Sequence, residues 1–233
     1  ARVLSNRIVL LTGRESGIES LDELLRVSTQ RPIVIGVRDA GSASIVAVPV
    51  IADLLNMDYA LVTGYVGNTA RILALVRGEI DLLVQNLDST RPFIADGTLR
   101  PLLQVTGALA DRDPLLAGVP VLGGETGIAQ ARASLAGKSR AQALTRADSL
   151  AALVDAGRLV VAPAALPDGL RGCLETAVAN VLRGPGLRAA ADRAKLRIEP
   201  ASAADARADI AAAAGAMAEF APLVKATMQR ARQ

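Results

Sequence analysis

The sequence predicts an α/β protein with parallel-rich sheets flanked by helices, and three observations predict it. Apolar runs and helical stretches alternate at βαβ spacing from Ile8 to Val105. The run Pro32 to Val37 is apolar almost throughout, and Ile80 to Val84 nearly so, which is the pattern of strands covered on both faces. Loops of small residues, Gly41-Ser42-Ala43-Ser44 and Gly64-Tyr65-Val66-Gly67-Asn68, stand where strands give way to helices.

The first strand is Ile8-Val9-Leu10-Leu11, followed by turn residues from Thr12 to Gly17. Ser20 and Glu23 have capping-box spacing, and Leu21, Leu24 and Leu25 give the next helix a narrow apolar face that ends by Gln30. After the strand at Pro32 to Val37, a helix is expected over about Ser44 to Asn56. Pro49 inside it forfeits a hydrogen bond and should kink the helix or delay its start. Tyr59 to Thr63 is the next strand. Asn68 or Thr69 is then a suitable cap for a helix carrying Ile72, Leu73, Leu75 and Val76, with Gly78 at its end. Ile80 to Val84 precedes a short helix from Asp88 to Ile94, closed by Gly97, and Leu99 to Val105 is a strand despite Pro101.

The segment Gly123 to Gly157, rich in Ala, Arg and Ser, is expected as a peripheral insertion with helices over Ala129 to Leu135 and Ser149 to Ala156. Leu159 to Ala162 restores a buried strand. A helix follows with Leu170, Leu174, Val178 and Leu182 at helical spacing, then Leu187 to Ala194 beyond Gly184-Pro185-Gly186. The last helix runs from about Ser202, a cap with Asp205 three residues on, to Arg230. Ile210, Met217, Phe220, Val224 and Met228 fall on one face of it.

At 233 residues and 51% hydrophobic, with mean hydropathy +0.34, the chain can bury a sizeable core. No uncharged apolar run approaches the roughly 18 to 20 residues that cross a bilayer. Net charge is +3, and all the basic residues except Lys138, Lys195 and Lys225 are arginines. They are scattered among acids, and aromatic residues make up 2% of the chain, which argues against a nucleic-acid partner. Histidine is absent and Cys173 is the single cysteine, so an intrachain disulfide, a thiolate zinc site and a histidine-based hydrolase are all excluded. Gly13-Arg14-Glu15-Ser16-Gly17 does not have the nucleophile-elbow spacing, and neither a P-loop nor a dinucleotide fingerprint occurs. No metal, cofactor or catalytic residue is expected.

What remains is a pair of loops at helix starts, where N–H groups lack intrahelical partners and carry the positive end of the helix dipole. Such a place seats an anion. The candidate ligand-binding residues are Gly41, Ser42, Ala43, Ser44, Tyr65, Gly67, Asn68 and Asn86, the last at the carboxyl end of a buried strand, where open α/β sheets place ligands. Each has a plain alternative. Ser42, Ala43 and Ser44 could form an ordinary helix start, Tyr65 could cover the core edge, Asn68 could cap its helix, and Asn86 could serve as a turn residue.

Gly41-Ser42-Ala43-Ser44, Gly64-Tyr65-Val66-Gly67-Asn68, and Gly78-Glu79-Ile80-Asp81-Leu82 with Gln85-Asn86-Leu87 together resemble the periplasmic solute-binding proteins of tripartite tricarboxylate transporters, the Bug family. Val119-Pro120 and Ala162-Pro163 match that family's later landmarks. Ile45, Gly64 and Val66 stand where the family usually has a histidine, a proline and a basic residue.

The resemblance implies a two-lobed, type II periplasmic-binding-protein-like fold with an incomplete first lobe, since the family's opening strand and Pro-Gly-Gly loop have no counterpart here. It divides the chain into 1–30 and 160–233 as the remnant of lobe one with C-terminal helices, and 31–159 as lobe two with an insertion at about 123–157. It further implies a periplasmic location, capture without chemistry of a small organic acid, and membrane transporter subunits as partners. A di- or tricarboxylate, an acidic amino acid or an aromatic acid would suit. The start at Ala1-Arg2-Val3-Leu4-Ser5 has no signal-peptide pattern, a segment that a mature or truncated chain would have lost. A ligand-sensing effector domain and a small-molecule enzyme are the alternative functions.

Overall fold

The computed structural model describes residues 1–4, 6–38, 42–106, 113–193, 196 and 198–230. Its elements are β1 (Arg2–Leu4), β2 (Ile8–Gly13), α1 (Leu21–Ser28), β3 (Ile33–Gly36), α2 (Ala43–Leu55), β4 (Tyr59–Val62), α3 (Gly67–Val76), β5 (Leu82–Asn86), α4 (Leu87–Ala95) and β6 (Leu99–Val105). Beyond these come α5 (Ile128–Ala131), α6 (Arg140–Asp155), β7 (Arg158–Leu159), α7 (Asp168–Arg183), α8 (Pro185–Arg193) and α9 (Ala203–Arg230).

Five strands form a mixed sheet in the order β4-β3-β5-β2-β6. β3 runs parallel to β4 and β5, while β2 lies antiparallel to β5 and β6 although its Ile8 to Leu11 is as apolar as β3. Pro101 is accommodated because β6 is the edge strand, and the pairing with β2 shifts register beside it. β1 and β7 pair antiparallel as a separate two-stranded ribbon.

Strand alternation divides the core in two. Ile8 and Leu10 of β2 point into a cluster with α1, α2, α6 and α9, which includes Leu24, Val48, Ile51, Leu150 and Phe220. Val9 and Leu11 point the other way, against Ile72 and Leu75 of α3 and Leu87 of α4. Thus α2 and α3 cover opposite faces of the sheet. That follows when right-handed crossovers lead from β3 to β4 on one side and back to β5 on the other.

β2 is hydrogen-bonded on both sides within the same sheet as β3, β4 and β5. The segment at 123–157, expected as peripheral, is not. Ala143, Ala147, Leu150 and Val154 of α6 are buried in the main core, and α6 packs on α2 and α9. Its alanines are core residues because the helices approach closely there, which a pattern weighted toward large side chains does not reveal. Lys138 fastens this segment to the end of α2 by donating to Asp53 Oδ1 at 2.9 Å, and Arg146 reaches Asp53 at 3.2 Å.

Part of 160–233 likewise belongs to this layer, since Ala216 and Phe220 of α9 enter the main core. The buried face of α9 is Ala206, Ala216, Phe220 and Thr227, and Ile210 and Met217, expected inside, are exposed. β7 is only Arg158–Leu159, with Val160 and Val161 exposed beyond it, so the buried strand expected at Leu159 to Ala162 is not formed. In α7, Leu182 is buried while Leu170 and Leu174 are exposed. Pro49 lies inside α2 without delaying the helix start.

Candidate functional site

Because β3, β4 and β5 are parallel, their carboxyl ends share one edge of the sheet, and α2, α3 and α4 all begin there. The chain reverses its direction of winding between β3 and β5, which is the switch point where open α/β sheets form a crevice.

The three helix starts differ chemically. α2 follows Ser42, which has extended dihedrals (φ −79°, ψ 145°), and the helix has neither a side-chain cap nor an acid in its first turn. Ser42 Oγ lies 3.0 Å from Ser44 Oγ, and Ser44 is buried. α3 follows Val66 and also lacks a side-chain cap and a first-turn acid. α4 is already supplied. Asn86 Oδ1 accepts from the Asp88 amide at 2.9 Å, and the Asp88 carboxylate sits in the first turn, paired with Arg7 at 3.4 Å and Arg91 at 3.3 Å. By dipole, and with neither a side-chain cap nor a first-turn acid, the starts of α2 and α3 are the two of these three that favour an incoming anion.

The second loop is shaped by two glycines with left-handed dihedrals, Gly64 at φ 95° and Gly67 at φ 79°, where any side chain would be strained. Between them the half-buried Tyr65 packs against the α3-side core, and Val66 is 91% exposed. The tyrosine ring closes on the end of β3. A Cβ added at Gly36 would lie 3.4 Å from Tyr65 Cε2 and 2.5 Å from Ile80 Cδ1, so any larger residue at this strand end must displace the Ile80 δ-methyl. Asn68 does not cap α3 as the sequence leads one to expect. Val66 occupies the cap position, and Asn68 Oδ1 accepts from Arg71 Nη2 at 2.7 Å.

The structure therefore brings Ser42, Ala43, Ser44, Tyr65, Gly67, Asn68 and Asn86 to one sheet edge, while Gly41 lies outside the described residues. Asn86 is a helix cap whose amide also donates to Asn6 Oδ1 at 3.1 Å. Sequence reasoning missed Arg71, Gln85 and Ser89, which form a polar chain beneath the second loop. The available signal was Arg71 interrupting the apolar positions of a helix whose neighbours Ile72, Ala74 and Leu75 are all buried.

Asp81, prominent in the motif, lies at the opposite edge of the sheet. Burial raises the pKa of its carboxyl, but the two-pronged bond from Arg31 (2.6 and 2.7 Å) and the Val34 amide (2.8 Å) outweigh this and hold it below the ordinary aspartate value. Its task is to lock the starts of β3 and β5 together. Among the described residues no group of acids, cysteines or histidines could hold a metal ion, and no helix is long and apolar enough to cross a membrane.

The class of fold is a mixed α/β sheet flanked by helices, with two helix starts that lack a side-chain cap at the carboxyl edge of its parallel strands. No family model matches the sequence, and no curated protein does. Solved structures do match. The chain is similar to a TctC solute binding protein from Polaromonas at 16% identity and TM-score 0.64, with 96% of this chain and 67% of that one covered. It matches an R. palustris protein solved with adipate at 19% identity and TM-score 0.64, again over 96% and 67%. MatC from Rhodopseudomonas palustris with bound malate matches at 18% identity and TM-score 0.57, over 97% and 69%. The chain has the fold of these solute-binding proteins and spans about two thirds of their length (67% of the Polaromonas protein).

Proposed function

We propose that the chain captures a small organic acid as the extracytoplasmic solute-binding component of a tripartite tricarboxylate-type transporter. One observation carries this: α2 and α3 both begin uncapped and free of acids at the carboxyl edge of three parallel strands, beside the switch point. Backbone amides at the two starts would hold a carboxylate. Each charge-assisted hydrogen bond contributes about 1.5–3 kcal/mol, so three or four approach the roughly 8 kcal/mol of micromolar capture. The fold shared with proteins solved with adipate and malate supports a dicarboxylate as ligand, and that shared with a periplasmic binding protein, BugD, supports a periplasmic location; membrane subunits would receive the loaded protein. With neither a histidine nor a metal-binding cluster among the described residues, capture without turnover is the task these groups suit.

Isothermal titration calorimetry with adipate, malate, a tricarboxylate, an acidic amino acid and an aromatic acid tests the proposal, with the diamide of adipate as neutral control. Saturable heat with at least one acid and none with the diamide is expected. Absence of heat and of thermal stabilisation across the panel would overturn it.

A further inference from the structure

Gln85 is the penultimate residue of β5, and alternation along the strand gives it the same face as Leu83, the face that α3 covers. Arg71 sits over it, one turn into α3 and only 4% exposed, and donates through Nη2 to Gln85 Oε1 at 2.6 Å and to Asn68 Oδ1 at 2.7 Å. The contact continues. Gln85 Nε2 donates to Ser89 Oγ at 3.0 Å, and Ser89 Oγ donates to the Asn86 carbonyl at 2.8 Å. A single polar chain thus runs from the start of α3, across the end of β5, to the start of α4. On its other side the same loop is held by Tyr65 against Gly36 at the end of β3. Residues 64–68 therefore straddle the crevice between β3 and β5, pinned at one strand by an apolar contact and at the other by Arg71.

A buried guanidinium is costly to desolvate and is kept in place by hydrogen bonds with fixed geometry. Its Nη2 alone donates to two acceptors, one on α3 and one on β5, in directions that the planar guanidinium fixes more closely than a rotating ammonium would. The side chain also places a cation behind the α3 start, where it adds to the field of the helix dipole.

We propose that Arg71 is the positioning residue of the anion seat: by joining Asn68 to Gln85 it fixes loop 64–68 over the crevice, and its charge raises the affinity of that edge for a carboxylate. This rests on the proposed function, and the experiment separates the two. The variants are Arg71→Met, Arg71→Lys, Gln85→Leu and Gln85→Glu, titrated with the best-binding acid of the panel. Amide hydrogen exchange is followed in the free protein. Arg71→Met, which exchanges a buried ion for an apolar group of similar length, should stay folded.

Arg71→Met and Gln85→Leu should each weaken binding by about tenfold or more. Exchange should speed up at the amides of 67–69 and stay unchanged at the start of α2. Arg71→Lys should keep part of the affinity through its charge, but loosen the loop. Gln85→Glu should keep the loop ordered and still lose affinity, because it places an anion beside the seat. A purely structural role would not separate order from affinity in that way. Wild-type binding together with Arg71→Met within about threefold of it would overturn the affinity half, and unchanged exchange at 67–69 would overturn the positioning half. Failure of the wild type to bind any acid would instead overturn the proposed function, and the affinity half with it. The exchange result would still decide the positioning.

Discussion

Replacing Ala43 by proline tests whether backbone amides hold the ligand, because it deletes one N–H at the start of α2 and leaves the helix intact. Ala43 is the first helical residue, where proline's fixed φ fits and its missing N–H costs the helix nothing. Ser42 before it is already extended at φ −79° and ψ 145°, the conformation that a following proline demands. The Ile45 amide, which bonds to the Ser42 carbonyl at 3.0 Å, is untouched. Loss of one charge-assisted bond worth about 1.5–3 kcal/mol corresponds to a roughly 10- to 150-fold weaker affinity. Ala43→Gly is the control, since it trims the side chain and keeps the amide. Calorimetry with the best-binding acid compares the two, and circular dichroism melting checks the fold. A proline variant that melts like the control and binds within about threefold of it would refute the amide seat.

Phe220→Ala should destabilise the chain by about 3–5 kcal/mol, since the ring is fully buried between α9, α2 and α6 and carries the Arg146 guanidinium 5.5 Å from its centroid. Urea unfolding that moves by less than about 1 kcal/mol would mean that α9 is not part of this core. Acid should weaken the fold through Asp81, whose carboxyl is held below its ordinary pKa. Stability from a depressed carboxyl is complete above the unfolded-state pKa and is lost as pH falls through the folded-state value, so the urea midpoint should drop below about pH 4. Asp81→Asn should flatten that drop in part, with Asp113, depressed by Arg91 and Arg7 against its burial, supplying the rest. Leu174→Gln, on the exposed face of α7, should change stability by less than about 0.5 kcal/mol and reduce binding of a hydrophobic dye.

Local chemistry was legible where neighbours in sequence decide it. Ser20 caps α1, its Oγ accepting from the Glu23 amide at 3.2 Å as the spacing predicts, although the Glu23 carboxylate closes on the Glu19 amide and not on Ser20. The apolar run Pro32 to Val37 became β3, parallel to both its neighbours, whereas the equally apolar Ile8 to Leu11 became the antiparallel β2, and the loop Gly64 to Asn68 falls at a helix start as expected. The roles of Asn68 and Asn86 were not legible, because an asparagine at a helix start fits a ligand contact, a cap or a side-chain partner equally well. Only the positions of Arg71 and Asp88 assign one to a buried bridge and the other to a cap. Arg71 was hidden for the same reason. An arginine among apolar helix positions looks exposed until the strand end that receives it is in place.

By itself, then, the sequence determined the strand and helix alternation, the lack of histidine and of a cysteine pair, and the two small-residue loops at helix starts, since these depend on periodicity, residue type and backbone propensity. Tertiary structure decided that β2 joins the central sheet, that the alanines of α6 are core, and that Phe220 faces inward while Ile210 and Met217 do not. It also decided which of the three helix starts at that edge carries a side-chain cap. The physical reason is shared: burial and hydrogen-bond partners are set by residues far apart in sequence, which become neighbours only when the sheet forms.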